Sequence, residues 1–454
     1  TTVLISDSTT QSNVHLYQNR VIVRDDVGSG LTNSNLSTGD DGDVDVKYAV
    51  SGGALTVDAG FELHLWTGDT FAPGGAVTVA GNGAAAPDGG IHIDDSATFT
   101  AGGAITLAGN WVADTGSTFT AGGNGVTFIA TTTGKTITVP GTGASFASTT
   151  FNGTGGGWTL QTAATTTGAL TISAGTLTAT SATLYLNGNY KNDGTFTHNS
   201  GTVLVASSSQ QTLSGTLVSP SAFNNLTVTN SSGSDAQSDP SVIFANAVSA
   251  SSTFTASTAN TKLRFAAGAT STLTNIVLNG QAAGTRVTLR SSTAGSRWGL
   301  DVSGTRSVSY TDVKDSNACS GAANINASDG TSADSGGNTC WNFPTITVSG
   351  IIYSDEGSTQ ETTGGTTLSM RINGAGTYST TTVAGTGVWR IEGIEQSSMS
   401  AGLPIAVSTD NNASLRAFTL TKASSTSNNI TGVDLYKNRV IVKHEGESAT
   451  STTI

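Results

Sequence analysis

Through the first two thirds of the chain, apolar side chains occupy every second position in runs only a few residues long. "GALTVDAG", "GAVTVAG", "GIHIDDSATFT", "GAITLAGNW" and "GALTISAGTLTATSATLYLNGNY" all read this way, with Thr, Ser or Asp between the apolar positions. That is the period of a half-buried strand, because successive side chains leave a pleated backbone on opposite sides. Gly, Asn or Asp closes each run, where the chain must turn with φ often positive. No segment carries the period of an amphipathic helix. Short strands following one another this closely predict a solenoid of stacked coils, in preference to one large sandwich.

A longer echo supports the solenoid. "GNWVADTGSTFTAGGNGVTFIATTTGKTITV" at 109–139 resembles "GNYKNDGTFTHNSGTVLVASSSQQTLSG" at 188–215. Trp111 answers to Tyr190, Phe119 to Phe196, Val126 and Phe128 to Val203 and Val205, and Ile137 to Leu213. The spacing covers several coils of roughly two dozen residues each. Inward Val, Leu, Ile and Phe should form columns along the axis, with outward Thr and Ser as hydroxyl ladders.

After "SADSGGNTCWNFP" the character changes, and Pro344 stops the pattern. The strands that follow are longer, with turn signals every 8–12 residues, as in a small antiparallel sandwich. The expected fold is therefore all-β: a parallel β-helix over 25–344, then a β-sandwich over 345–443.

The ends repeat each other. "NVHLYQNRVIVRDD" near the start returns as "GVDLYKNRVIVKHE" near the end. Val14, Leu16, Tyr17, Arg20, Val21 and Val23 recur as Val433, Leu435, Tyr436, Arg439, Val440 and Val442, a constant shift of 419 (433 − 14). Upstream, "VLISDSTTQS" parallels "FTLTKASSTS". A short alternating strand could arise twice by chance, but L-Y-x-N-R-V-I-V marks a duplication. Residues 1–24 then read as a strand completing the sandwich of a preceding unit, and 444–454 as the start of the next unit or a tail. The two copies should occupy equivalent positions, each leading from a sandwich into a solenoid. Leu16, Val21 and Val23 can share a buried side, and Asn19 and Arg20 mark a break between two short strands. The chain begins with Thr1 and carries no signal peptide, so either a leader has been removed or this is a piece of a longer chain.

Composition narrows the setting. Charged residues are 11% of the chain, against roughly 25% in ordinary soluble domains. Only 7 residues are Pro, and β-branched residues alternate throughout, which argues for an ordered Thr-rich β protein over a disordered one. The formal net charge of −12 is thinly spread, with no basic stripe for nucleic acid. No apolar run is long enough for a transmembrane helix. A weakly charged, acidic, hydroxyl-rich surface suits a protein outside the cell. Cys319 and Cys340 fit that setting as a disulfide, with two free thiols as the alternative.

Several stretches resemble a known family. "GNYKNDGTFTHNSGTV", "QTLSGT" and "FNNLTVTNSSG" look like repeats of very large bacterial surface proteins with right-handed parallel β-helices. "VSYTDVKDSNACSG…DSGGNTCWNF" looks like the terminal coils of the same class, with the Cys pair replacing the more usual small residues. "ITVSGIIYSDEG" and "RINGAGTYSTTTVAGTGVWRIEGI" are similar to the carboxypeptidase-regulatory-like or Ig-like modules between such helices. The resemblance implies an architecture and a cell-surface setting rather than an activity.

Candidate chemistry is sparse. Parallel β-helices also occur in polysaccharide-degrading enzymes, whose sites need clustered carboxylates. Here Asp58, Glu62, Asp69, Asp88, Asp94, Asp95 and Asp114 are scattered, and adjacent Asp94 and Asp95 would point to opposite faces of a strand, so no enzyme is expected. Asp40, Asp41, Asp43 and Asp45 in "STGDDGDVDVKY" are hard oxygen ligands in a Gly-containing loop, a candidate Ca²⁺ site. They lack the full spacing of a calcium loop, and a solvated acidic turn is the favoured reading. No other cofactor is implied. The 6 Trp could stack on glycans, although core packing explains them as well. The expected function is structural: an extracellular protein joined end to end with copies of itself, covalently in an array or by strand addition. An adhesin presenting a glycan- or host-binding surface is the second reading, and a polysaccharide-degrading enzyme the third.

Overall fold

The computed structural model describes residues 2–5, 20–24, 43–47, 49–52, 54–57, 62–80, 90–140, 145–321, 323–410, 412–424 and 428–443. The fold is all-β: a parallel β-solenoid followed by an antiparallel region. Alternation explains the strands. Leu63–Leu65, Val77–Val79, Ile91–Ile93 and Ile105–Leu107 each bury their first and last residue and turn the middle one outward. Each then pairs in parallel with the strand one coil away, so that like positions stack.

One inward column runs Val77, Ile105, Val126, Thr149, Leu170, Tyr190, Leu213, Phe244 and Phe265. Its steps range from 20 residues (Leu170 to Tyr190) to 31 (Leu213 to Phe244), the surplus being carried in loops between strands. A second face stacks Leu63, Ile91, Trp111, Ile137 and Leu160. A third stacks Phe71, Phe99 and Phe119, and farther along Ala164, Leu184, Val203, Leu226, Phe254 and Ile276. The three faces share one core reaching from Leu55 to Phe343. Val126, Phe128, Val203 and Val205 all lie within it. Burying each such side chain contributes roughly 1.5–3 kcal/mol, and stacked rings such as Phe265 and Trp298, 4.2 Å apart, add to it. Coils approach closely where side chains are missing: a Cβ on Gly153 would sit 1.8 Å from the Ala130 carbonyl oxygen.

The sequence echo turns out to be rotated by one face. Trp111 lies on the face of Ile91 and Ile137, whereas Tyr190 lies on the face of Leu170 and Leu213. Likewise Val126 stacks on Ile105, whereas Val203 stacks on Leu184. Each segment makes one full circuit, but the circuits start on different faces.

From Thr345 onward the pairing becomes largely antiparallel. One sheet holds Val388–Glu395, Thr345–Tyr353 and Leu435–Tyr436. The other, in order, holds Ala375–Thr381, Thr367–Ile372, Pro404–Thr409, Ala417–Lys422 and Arg439–Val442. Ile346, Val348, Leu368, Met370, Trp389, Val407 and Leu435 form a core distinct from that of the solenoid. Pocket-lining Pro344, Glu395 and Gln396 face Arg286 and Asp334 where the two cores meet.

Candidate functional site

The second copy of the repeated strand joins the two sheets of the antiparallel region. Leu435–Tyr436 pairs in parallel with Ile352 and Tyr353. Asn438 then takes φ 55°, a left-handed turn that Asn tolerates. Arg439–Val442 crosses to the other sheet and pairs in parallel with Ala417, Phe418, Thr419 and Leu420. In the first copy, Arg20, Val21, Ile22 and Val23 pair in parallel with Thr2, Val3, Leu4 and Ile5. Val3 is thus to Val21 what Phe418 is to Val440. The duplication is one of a paired unit, in the register that the upstream sequence echo requires.

The settings of the two pairs differ. Across its other edge, Arg20–Arg24 pairs with Asp43–Lys47, which in turn pairs with Leu63–Leu65, so the first copy lies in the solenoid's own sheet. Arg439–Val442 is one of the two edge strands of its sheet among the described residues. Equivalent positions were expected, so this is a correction. Burial is corrected as well: Val433 and Leu435 are buried, but Val440 and Val442 are 72% and 61% exposed, because no described layer covers that edge strand. Val14, Leu16 and Tyr17 lie outside the described residues.

Asp40 and Asp41 also lie outside the described residues. Asp43 and Asp45 do not sit in a loop: they belong to the strand Asp43–Lys47, paired on both sides. Their alternation with Val44 and Val46 is a strand pattern, and it outweighs the turn signals before it. The ladder sets Asp45 directly across from His64.

Beyond Asp45 lies a constellation that the sequence reading missed. His64 and His92 are the outward residues of neighbouring strands in direct register. Their rings stack 4.8 Å apart at 6°, and Trp66 stacks on His64 at 4.6 Å. Asp94 and Asp114 each follow the last residue of a strand, and those residues, Ile93 and Ala113, pair directly. Asp94 Oδ1 is 2.9 Å from His64 Nε2 and 3.5 Å from His92 Nε2. Asp114 Oδ2 is 3.5 Å from His92 Nε2, and Glu62 Oε1 is 3.7 Å from His92 Nδ1. Charges that are scattered in sequence are gathered here by the coil repeat. The signal was present in "LHL" and "IHI", two strands with His at the outward position.

Cys319 and Cys340 are bonded to each other, and both Cys of the chain are used. The bond joins neighbouring coils, since Asn317 pairs with Thr339 beside it. Of the tryptophans, Trp111, Trp158, Trp298 and Trp389 are fully buried, and Trp341 is 8% exposed, so these five serve packing. Where the cores meet, burial and the neighbouring Asp334 carboxylate push the Glu395 carboxyl above its ordinary range, and Glu395 Oε2 is shielded without a hydrogen-bond partner. No described helix is long and apolar enough to cross a membrane. No family model matches the chain, and no curated protein or solved structure does either.

Proposed function

We propose that this chain is an extracellular structural unit that joins end to end with copies of itself. One observation carries the reading. The same parallel pair occurs at both ends, with its outer edge occupied by a solenoid strand in one copy and exposing Val440 and Val442 in the other. An exposed apolar edge strand invites strand addition. In a joined array, Arg439–Val442 takes the place of the next unit's Arg20–Arg24 beside Asp43–Lys47, in the register already present in the first copy. Arg439 then stands opposite Asp43, Val440 opposite Val44, and Val442 opposite Val46. The solenoid supports the same reading, since stacked coils have no intrinsic limit and need ends that are covered. The covalent and non-covalent forms of the array share this junction.

The test replaces Val440 and Val442 together by Lys. Both side chains are exposed, so the unit should keep its fold while end-to-end species disappear from sedimentation and electron microscopy. Deleting residues 1–24 should leave joining intact, because it vacates the edge of Asp43–Lys47 that Arg439–Val442 takes. Fibres of normal length from the double Lys variant would refute the assembly reading. The mass of the intact polypeptide under denaturing, reducing conditions separates a covalent array from a polymer of subunits.

A further inference from the structure

We propose that His64, His92, Asp94 and Asp114 form a binding site for one divalent transition-metal ion of the zinc class. This inference is independent of end-to-end joining. The ligating atoms of His64, His92 and Asp94 lie within 4.8 Å of one another. A tetrahedral ion with bonds of about 2.1 Å holds its ligands about 3.4 Å apart. The 2.9 Å and 3.5 Å separations from Asp94 Oδ1 to the two Nε2 atoms, and the 3.5 Å from His92 Nε2 to Asp114, bracket that value. Small side-chain adjustments therefore bring His64, His92 and Asp94 onto one ion, and Asp114 reaches it from the His92 side by a larger swing.

Three features point to a cation rather than to ion pairing alone. His92 Nε2 is shielded from solvent and makes no hydrogen bond, although two carboxylate oxygens lie 3.5 Å from it. Asp94 and Asp114 follow directly paired residues on stacked coils, where like charges repel unless a cation lies between them. Glu62 lies 3.7 Å from the opposite nitrogen of the His92 ring, where metal-ligating histidines keep an orienting carboxylate. Mixed imidazole and carboxylate ligation suits Zn²⁺ and its neighbours better than Ca²⁺ or Mg²⁺. Bound in the site, the ion ties three successive coils through outward side chains.

The full chain, stripped of metal by chelation, would be titrated with Zn²⁺ by calorimetry and with Co²⁺ by visible absorption. About one equivalent should bind, and Co²⁺ should show the intense d–d bands of low coordination number. His64→Ala and His92→Gln should each weaken binding at least about tenfold, whereas His198→Ala, outside the cluster, should leave it unchanged. Circular dichroism establishes that each variant is folded, and the wild-type Co²⁺ spectrum needs no variant at all. Absence of saturable Zn²⁺ binding, absence of Co²⁺ bands, or binding indifferent to both His64→Ala and His92→Gln would overturn the site.

Discussion

Replacing Tyr190 by Phe should make the protein more stable. Tyr190 is 1% exposed, stands in the inward column between Leu170 and Leu213, and packs against Phe196 and Phe223 at 6.1 and 5.8 Å. Its hydroxyl is buried with no hydrogen-bond partner. A buried hydroxyl left unpaired costs about 1–3 kcal/mol. Phe keeps the ring and its contacts. The void left by one oxygen is smaller than a water site and costs only a few tenths of a kcal/mol at about 24 cal/mol per Å³. The balance is a gain of about 1–2 kcal/mol. Desolvation also pushes the phenol far above its ordinary value. A raised folded-state pKa means stability that is whole below the unfolded phenol's pKa, about 10, and is lost as pH rises beyond it. Wild type should therefore lose stability in strong alkali, and Tyr190→Phe should lack that part of the loss. Denaturant unfolding at neutral pH and above pH 10, followed by circular dichroism, reads both effects. A lower midpoint for Tyr190→Phe at neutral pH would show that the hydroxyl is satisfied and refute the reasoning.

Two further outcomes follow from the packing. Phe128→Ala should cost about 3–5 kcal/mol, because the side chain is fully buried and its ring stacks on Phe151 at 5.0 Å; an unchanged melting curve would refute the assigned inward face. Glu395→Gln should stabilise the protein at neutral pH and flatten its pH dependence. With the carboxyl raised by burial and Asp334, stability is whole below the ordinary glutamate range and falls as pH rises through the raised value, so an unchanged slope of the urea midpoint against pH would count against it.

Period-two alternation made the strands legible, and "LHL" and "IHI" could be read as strands with an outward His. What the pattern left open was register between coils. From Leu63 to Ile91 the chain spends 28 residues (91 − 63), and from Ile91 to Trp111 only 20 (111 − 91), so no fixed period sets His64 beside His92 or Asp94 beside Asp114. The same irregularity rotated the Trp111 and Tyr190 echo by one face. The duplicated strand was plain as sequence, yet its alternation could not reveal that Val440 and Val442 are exposed. Alternation gives the side of a strand, while the covering layer depends on which neighbour the strand finds.

The position of the Cys319–Cys340 bond bears on how the solenoid comes apart. In a stack where each coil touches only its neighbours, opening begins at the ends, because an end coil is held from one side. Asn317 and Thr339 form the pairing beside the bond, so the linkage makes one of the last contacts between coils covalent. Fraying that starts beside the antiparallel region meets a rung that thermal motion cannot open. Loss of order there must instead advance from the opposite end of the stack, which gives the molecule a preferred direction of unravelling.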